Sequence, residues 1–201
     1  MSAETRSTRL DNAELSRLAE LYDLEQYLFC KVSRRFQREQ ALSACDFFAI
    51  VTWKANRAKT RIKKGLVDAG KSVRQLMKEV SQADSPVDKV EILCNVKWIG
   101  IPIASAILSV CYPTRFTVLD YRAWETLKQA SVEGIPEHSP QDAQSYLQYC
   151  EACRRFADRM GLSLRDLDRA LWAKNWEDAL LELCKGLWLM SRSSAEPPGL
   201  R

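Results

Sequence analysis

The chain is punctuated for helices and for little else. Only seven glycines and seven prolines interrupt 201 residues, and clean alternation of apolar and polar residues is absent. The breakers stand where helices would start or stop. Ser85-Pro86-Val87-Asp88 offers an oxygen cap, a proline in the first turn and an acid close behind. Proline suits that place because its missing N–H would be unpaired there anyway. Ser139-Pro140-Gln141-Asp142 repeats the signal, and Gly70 reads as a C-terminal stop. The pattern predicts helices over about 11–22, 24–37, 45–53, 57–69, 72–81, 85–96, 102–112, 121–129, 139–160, 163–173 and 175–190, the last two capped by Ser163 and Asn175. The fold class is therefore all-α, with 115–118 as the one short extended piece.

Apolar residues make up 46% of the chain, enough for a real core, so a single helical domain is expected over 10–190. Residues 1–9 and 191–201 read as polar tails. The N-terminus has no apolar leader region, and no run of about 18 apolar residues predicts a membrane span. Seven scattered cysteines, an odd number, suit reduced thiols in a cytoplasm better than a disulfide framework. Cys150 and Cys153 form a lone CxxC on a predicted helix, and without a second pair no metal site is expected. The formal charge of +4 permits a polyanionic partner without demanding one.

Charge is concentrated locally, however. In "WKANRAKTRIKK", Lys54, Arg57, Lys59, Arg61, Lys63 and Lys64 occur with no acid among them. Such a helix would follow a phosphate backbone or form a solvated face. Trp53, beside two of these cations, suits either the core or a pocket for an unstacked base. Tyr112 and Trp124 are further aromatics with the same two roles open.

The segment 97–124, "KWIGIPIASAILSVCYPTRFTVLDYRAW", carries the most specific chemistry. Two helices meet there across a short connection containing Gly100. The second helix starts at Pro102, so amide groups at Ile99, Gly100 and Ile101 would stand at an exposed helix start. Unpaired amides at a helix start attract phosphate; the alternative is a plain helical hairpin without a ligand. Asp120 precedes the next helix as a good N-cap, with Leu119 and Trp124 spaced as a hydrophobic staple. A helix N-terminus also keeps a carboxylate ionised. An ionised carboxylate stabilises the positive charge that builds on a sugar as an N-glycosidic bond breaks, and it orients water. Cap and catalyst are compatible roles.

The same segment resembles the helix-hairpin-helix DNA glycosylase superfamily, of endonuclease III-like fold. "VKWIGIPIA" lies over that family's hairpin, with Gly100 on its second glycine and Ala104 on its terminal alanine. Asp120 falls on the catalytic aspartate without a gap. "YPTRFTVLDYRAWETL", "WKANR" and "LRDLDRALW" look like a less characterised bacterial branch of the superfamily. The resemblance spans about 45–175. It implies a helix-hairpin-helix glycosylase-like domain that binds double-stranded DNA in base-excision repair, with Asp120 catalytic. The four closely spaced C-terminal cysteines of the iron–sulfur branch are missing, so neither a cluster nor another cofactor is implied.

Three positions depart from the family pattern. Trp98 stands at the first hairpin glycine, Ile103 at the threonine, and Pro102 at the position that carries the imine-forming lysine of glycosylase/lyases. Proline has no amine to form an imine, so the resemblance implies a monofunctional, water-using N-glycosylase. Trp98, bulky where backbone should approach phosphate, moves weight toward two other readings. One is an inactive glycosylase-like module that binds nucleic acid or a nucleotide-like ligand. The other is a protein-interaction domain.

Overall fold

A computed structural model describes residues 11–188; the tails expected at 1–9 and 191–201 lie outside them. The described residues are helical with no strand, so the chain is all-α. The stretch at 115–118 takes part in no sheet. No helix among the described residues is long and apolar enough to cross a membrane.

The helices are α1 (Asn12–Tyr22), α2 (Leu24–Gln26), α3 (Ser33–Glu39), α4 (Ala44–Ala55), α5 (Lys59–Asp68), α6 (Val73–Gln82), α7 (Pro86–Cys94), α8 (Ile101–Cys111), α9 (Tyr121–Gln129), α10 (Ala143–Met160) and α11 (Leu164–Trp188). A π-helical stretch, Tyr27–Val32, joins α2 to α3, and a single 3₁₀ turn, Asn56–Ala58, joins α4 to α5. Local chemistry sets most boundaries. Ser72 and Ser85 each accept from the third backbone amide of their helix, while Gln75 and Asp88 return the bond to the cap. After α5, Gly70 adopts φ +62°, and the amides of Gly70 and Lys71 bond back to Val67 and Leu66. That is the left-handed stop which glycine makes without steric cost.

Two expected boundaries are wrong. Ser139-Pro140 does not start α10; Asp142 does, in a reciprocal cap with Ser145. Nor does Asn175 start a new helix, because α11 runs unbroken across it. The residues around Asn175 are good helix formers, and no glycine or proline interrupts them. A lone cap-type residue does not break a helix whose neighbours all favour it.

At the centre lies α8, buried at every position except Pro102. It packs against α4, α7, α3 and the π-helical stretch. Small residues such as Ala104, Ser105 and Ala106 face its neighbours with no exposed side. One buried charge is structural. Lys89 of α7 donates to the carbonyls of Val80 (2.8 Å) and Ala83 (2.8 Å) at the end of α6. A cation there satisfies orphan carbonyls and suits the negative end of the helix dipole.

Candidate functional site

The carboxylate of Asp120 accepts two hydrogen bonds, and the backbone leading to it is pinned twice. Its Oδ1 accepts the Arg122 amide at 3.0 Å and caps α9. Just before it, the Leu119 amide donates to the Ser105 hydroxyl of α8 (2.9 Å), which in turn donates to the Pro102 carbonyl (2.8 Å). On the other flank, the Tyr146 hydroxyl of α10 donates to the Thr117 carbonyl (2.8 Å). The extended approach to Asp120 is thus pinned to α8 and α10. Its second oxygen, Oδ2, accepts from Lys54 Nζ at 3.0 Å. Burial pushes the Asp120 carboxyl up, but the Lys54 charge and hydrogen bond, followed by the Arg122 amide, prevail and hold it below its ordinary value.

Asp120 and Lys54 open onto a cleft of about 460 Å³, also lined by Glu25, Trp53, Val118, Arg165, Asp168, Arg169 and Trp172. Three elements build most of it. The last turn of α4 brings Trp53 and Lys54, the cap of α9 brings Asp120, and α11 brings Arg165, Asp168, Arg169 and Trp172. The α11 residues recur at the spacing of one helix face. Leu164, Leu167 and Leu171 lie buried beside them and seat that helix on the core.

Within the cleft, charges are matched. Glu25 accepts from Arg165 (2.7 Å) and from Arg169 (2.6 Å), and Arg165 also pairs with Asp168. The Arg165 guanidinium lies over the rings of Phe29 (4.5 Å) and Trp53 (5.1 Å). Phe29, from the π-helical stretch, meets Trp53 edge-on at 5.7 Å. Trp53 is thereby partly covered, whereas Trp172 stays 48% exposed and offers the more open aromatic surface. Burial pushes the Asp168 carboxyl up to about 6, against the pull of Arg165 and then Lys54. Two carboxyl groups in one cleft are thus driven in opposite directions.

A second feature is the hairpin between α7 and α8. Trp98 adopts φ +77° there, a glycine-like conformation, so the turn is made despite the side chain. The ring projects outward, 48% exposed, with the Arg61 guanidinium 5.4 Å and the Lys97 ammonium 5.2 Å from its centroid. Gly65 of α5 packs directly on the hairpin: a Cβ there would stand 2.4 Å from the Lys97 carbonyl oxygen. The basic helix and the hairpin are therefore one continuous surface. On it Arg57, Lys59, Arg61, Lys63 and Lys64 are exposed.

The expected residues fall into separate places. Trp53, Lys54 and Asp120 meet in the cleft. Of the hairpin positions, Ile99 and Ile101 bury their side chains, and the Ile99 amide is taken by the Val96 carbonyl. The amides of Gly100 and Ile101 have no acceptor among the described residues. Tyr112 and Trp124 do not line the cleft. Tyr112 packs on Phe36 and Phe116, its hydroxyl pushed up to about 12 by burial, and Trp124 donates its indole N–H to the Pro136 carbonyl. Cys150 and Cys153 are buried, and no cluster of metal-ligating residues occurs among the described residues.

No protein-family model, curated protein or solved structure matches the chain.

Sequence reasoning assigned Glu25, Arg165 and Trp172 to no site, and left Asp168 and Arg169 between surface ion pairs, a structural role and a pocket role. For the α11 residues a signal existed, because cations, an acid and a tryptophan recur on one face of a helix. For Glu25 there was none; the long-range pairs that recruit it are invisible in one dimension.

Proposed function

We propose that the chain is a double-stranded-DNA-binding protein of helix-hairpin-helix glycosylase type that releases a base by hydrolysing its N-glycosidic bond. The carrying observation is convergence. The three stretches that resemble the bacterial glycosylase branch, "WKANR", "VLDYRAW" and "LRDLDRALW", are far apart in sequence yet contribute to one cleft. In this reading the duplex lies along α5 and the hairpin, where the free amides of Gly100 and Ile101 take a phosphate and the exposed cations follow the backbone. A nucleotide swings out into the cleft and its base stacks on Trp172. Asp120, held ionised, faces the sugar and orients water. The unpaired cysteines fit a reducing, cytoplasmic setting.

One observation favours a second reading. The Lys54 ammonium already neutralises Asp120, and a neutralised carboxylate stabilises a sugar cation less well. That arrangement suits a binding module that has lost base release. A screen of duplexes carrying different lesions, run against Asp120→Asn, separates the two. Asparagine caps a helix nearly as well as aspartate, so the variant should keep fold and DNA affinity while base release falls by about 10²–10³-fold. Undiminished release in Asp120→Asn removes the catalytic assignment. Salt-sensitive binding without release on any lesion selects the binding module.

A further inference from the structure

Trp98 is the residue of the basic face that neither the fold nor phosphate binding accounts for. Its side chain joins no core cluster and stays 48% exposed. A lone exposed tryptophan is ordinary, but this one sits at φ +77°, where glycine would make the turn without strain. The turn therefore does not call for the ring. A Cβ on Gly65 would stand 2.4 Å from the Lys97 carbonyl oxygen, so the missing side chain lets the hairpin backbone seat on α5. Arg61 lies one turn before Gly65 on the same face of that helix and reaches over the ring, 5.4 Å from its centroid. Lys97 reaches it from the hairpin itself, at 5.2 Å. Among the described residues no carboxylate pairs with either cation. Gly100, two residues on, is exposed, and its amide has no acceptor among the described residues. The hairpin thus presents an open indole bordered by two unneutralised cations and a free amide.

We propose that Trp98 is a stacking platform for an unpaired nucleobase, so that the ligand of this face is a single strand or an unpaired stretch of nucleic acid. Charge selects a polyanion: Arg57, Lys59, Arg61, Lys63, Lys64 and Lys97 are exposed, with no acid between 54 and 64. The ring selects bases. Every base has a π-face, and an aromatic ring beside cations stacks on it without reading sequence. In a blunt duplex those faces are taken by neighbouring pairs, and the indole is only bulk between hairpin backbone and phosphate. In a single strand they are free. A base then lies on Trp98, Arg61 and Lys97 turn from the ring to the flanking phosphates, and the Gly100 amide donates to one of them. A cation on a ring at an exposed site is a weaker contact than a base stack, so the exchange is favourable. Trp98 does not line the Asp120 cleft, and the platform needs neither Asp120 nor hydrolysis. It shares with the proposed function only the premise that this face meets nucleic acid.

The test titrates the full chain into three labelled ligands by fluorescence anisotropy, at several salt concentrations. They are a short oligothymidine, a base-free strand with the same number of phosphates, and a blunt duplex of the same length. The native chain should prefer oligothymidine to the base-free strand by about 5–100-fold. Trp98→Ala should lose that preference, keep its salt slope because no charge is removed, and bind the base-free strand no worse. Trp98→Phe keeps a ring and should retain most of the preference. Trp98→Gly relieves the backbone strain and should show the same loss as alanine, which separates stacking from a folding defect; circular dichroism checks each fold. Equal affinity of the native chain for oligothymidine and the base-free strand overturns the platform. So does an equal loss on all three ligands in Trp98→Ala. Failure to bind oligothymidine even at low salt also overturns it and leaves the exposed ring to a protein partner. Base release is read on lesion duplexes with Asp120→Asn, so either proposal can fail without the other.

Discussion

Trp98 gives the sharpest physical prediction, because strain and contact act on it in opposite directions. At φ +77° a non-glycine residue is disfavoured by about 1–2 kcal/mol. The Arg61 and Lys97 contacts to its ring each return about 0.5–1 kcal/mol at an exposed site. Trp98→Ala deletes those contacts and keeps the strain, so it should destabilise by roughly 1–2 kcal/mol. Trp98→Gly deletes the contacts but relieves the strain, against about 0.5–1 kcal/mol of added freedom in the unfolded chain. Glycine should therefore be more stable than alanine by roughly 0.5–1 kcal/mol, the reverse of their order in ordinary helix or strand. Urea unfolding followed by circular dichroism measures both variants. Alanine equal to or above glycine would refute a strained hairpin. The same Trp98→Gly variant should bind duplex DNA a few-fold more tightly with unchanged salt slope, since the change frees Arg61 and Lys97 without removing a charge.

Gly65→Ala would normally stabilise a helix interior by about 1 kcal/mol. Here the new methyl meets the Lys97 carbonyl, and thermal unfolding should show a net loss of about 1–2 kcal/mol instead. Asp168 has a folded value raised to about 6, so the folded state binds the extra proton between about pH 4 and 6 and stability falls as pH rises through that window. Asp168→Asn should remove that decline, and a variant curve parallel to wild type would contradict the buried-carboxyl account. Asp120 works in the opposite sense: its lowered folded value makes its contribution present above the ordinary carboxylate range and lost as pH falls through the folded value. Acid titrations of Asp120→Asn should accordingly show a shallower loss on that limb than wild type. Lys63→Gln with Lys64→Gln should weaken DNA binding and reduce the log–log salt slope by about 1–2, whereas an unchanged slope removes α5 from the interface.

The parts of this molecule governed by local chemistry could be read directly. The starts of α6, α7 and α9 follow from Ser72, Ser85 and Asp120, each of which bonds to amides two or three residues away. The glycine stop after α5 is equally local. The errors have a common cause, which is that a local signal can be present and unused. Ser139-Pro140 resembles a helix start but is outcompeted by the Asp142–Ser145 pair. Asn175 resembles a cap but stands inside α11. In the cleft, Trp53 and Asp120 were legible because an aromatic beside cations and an acid at a helix start are local patterns. The partnership of Lys54 with Asp120 spans 66 residues, and Arg169 with Glu25 spans 144. Such pairs arise only when α4, α9 and α11 pack. For the same reason Lys54 read as one more cation of a basic run, although its side chain is turned inward.

That inward turn divides the work of the basic stretch. Lys54 lies in a cleft whose three cations, Lys54, Arg165 and Arg169, face three acids, Glu25, Asp120 and Asp168. A balanced site of this kind has little long-range attraction for phosphate and suits a neutral group. Its charges act at contact, where burial strengthens them. The remaining cations of the stretch, Arg57 on the 3₁₀ turn and Lys59, Arg61, Lys63 and Lys64 on α5, are exposed and unopposed by acids in that run, so any steering of a polyanion falls to them and to the hairpin beside them. Gly65, by letting α5 seat on the hairpin backbone, joins these two steering elements into one face. The 3₁₀ turn Asn56–Ala58 joins that face to α4, whose last turn carries Trp53 and Lys54 into the cleft.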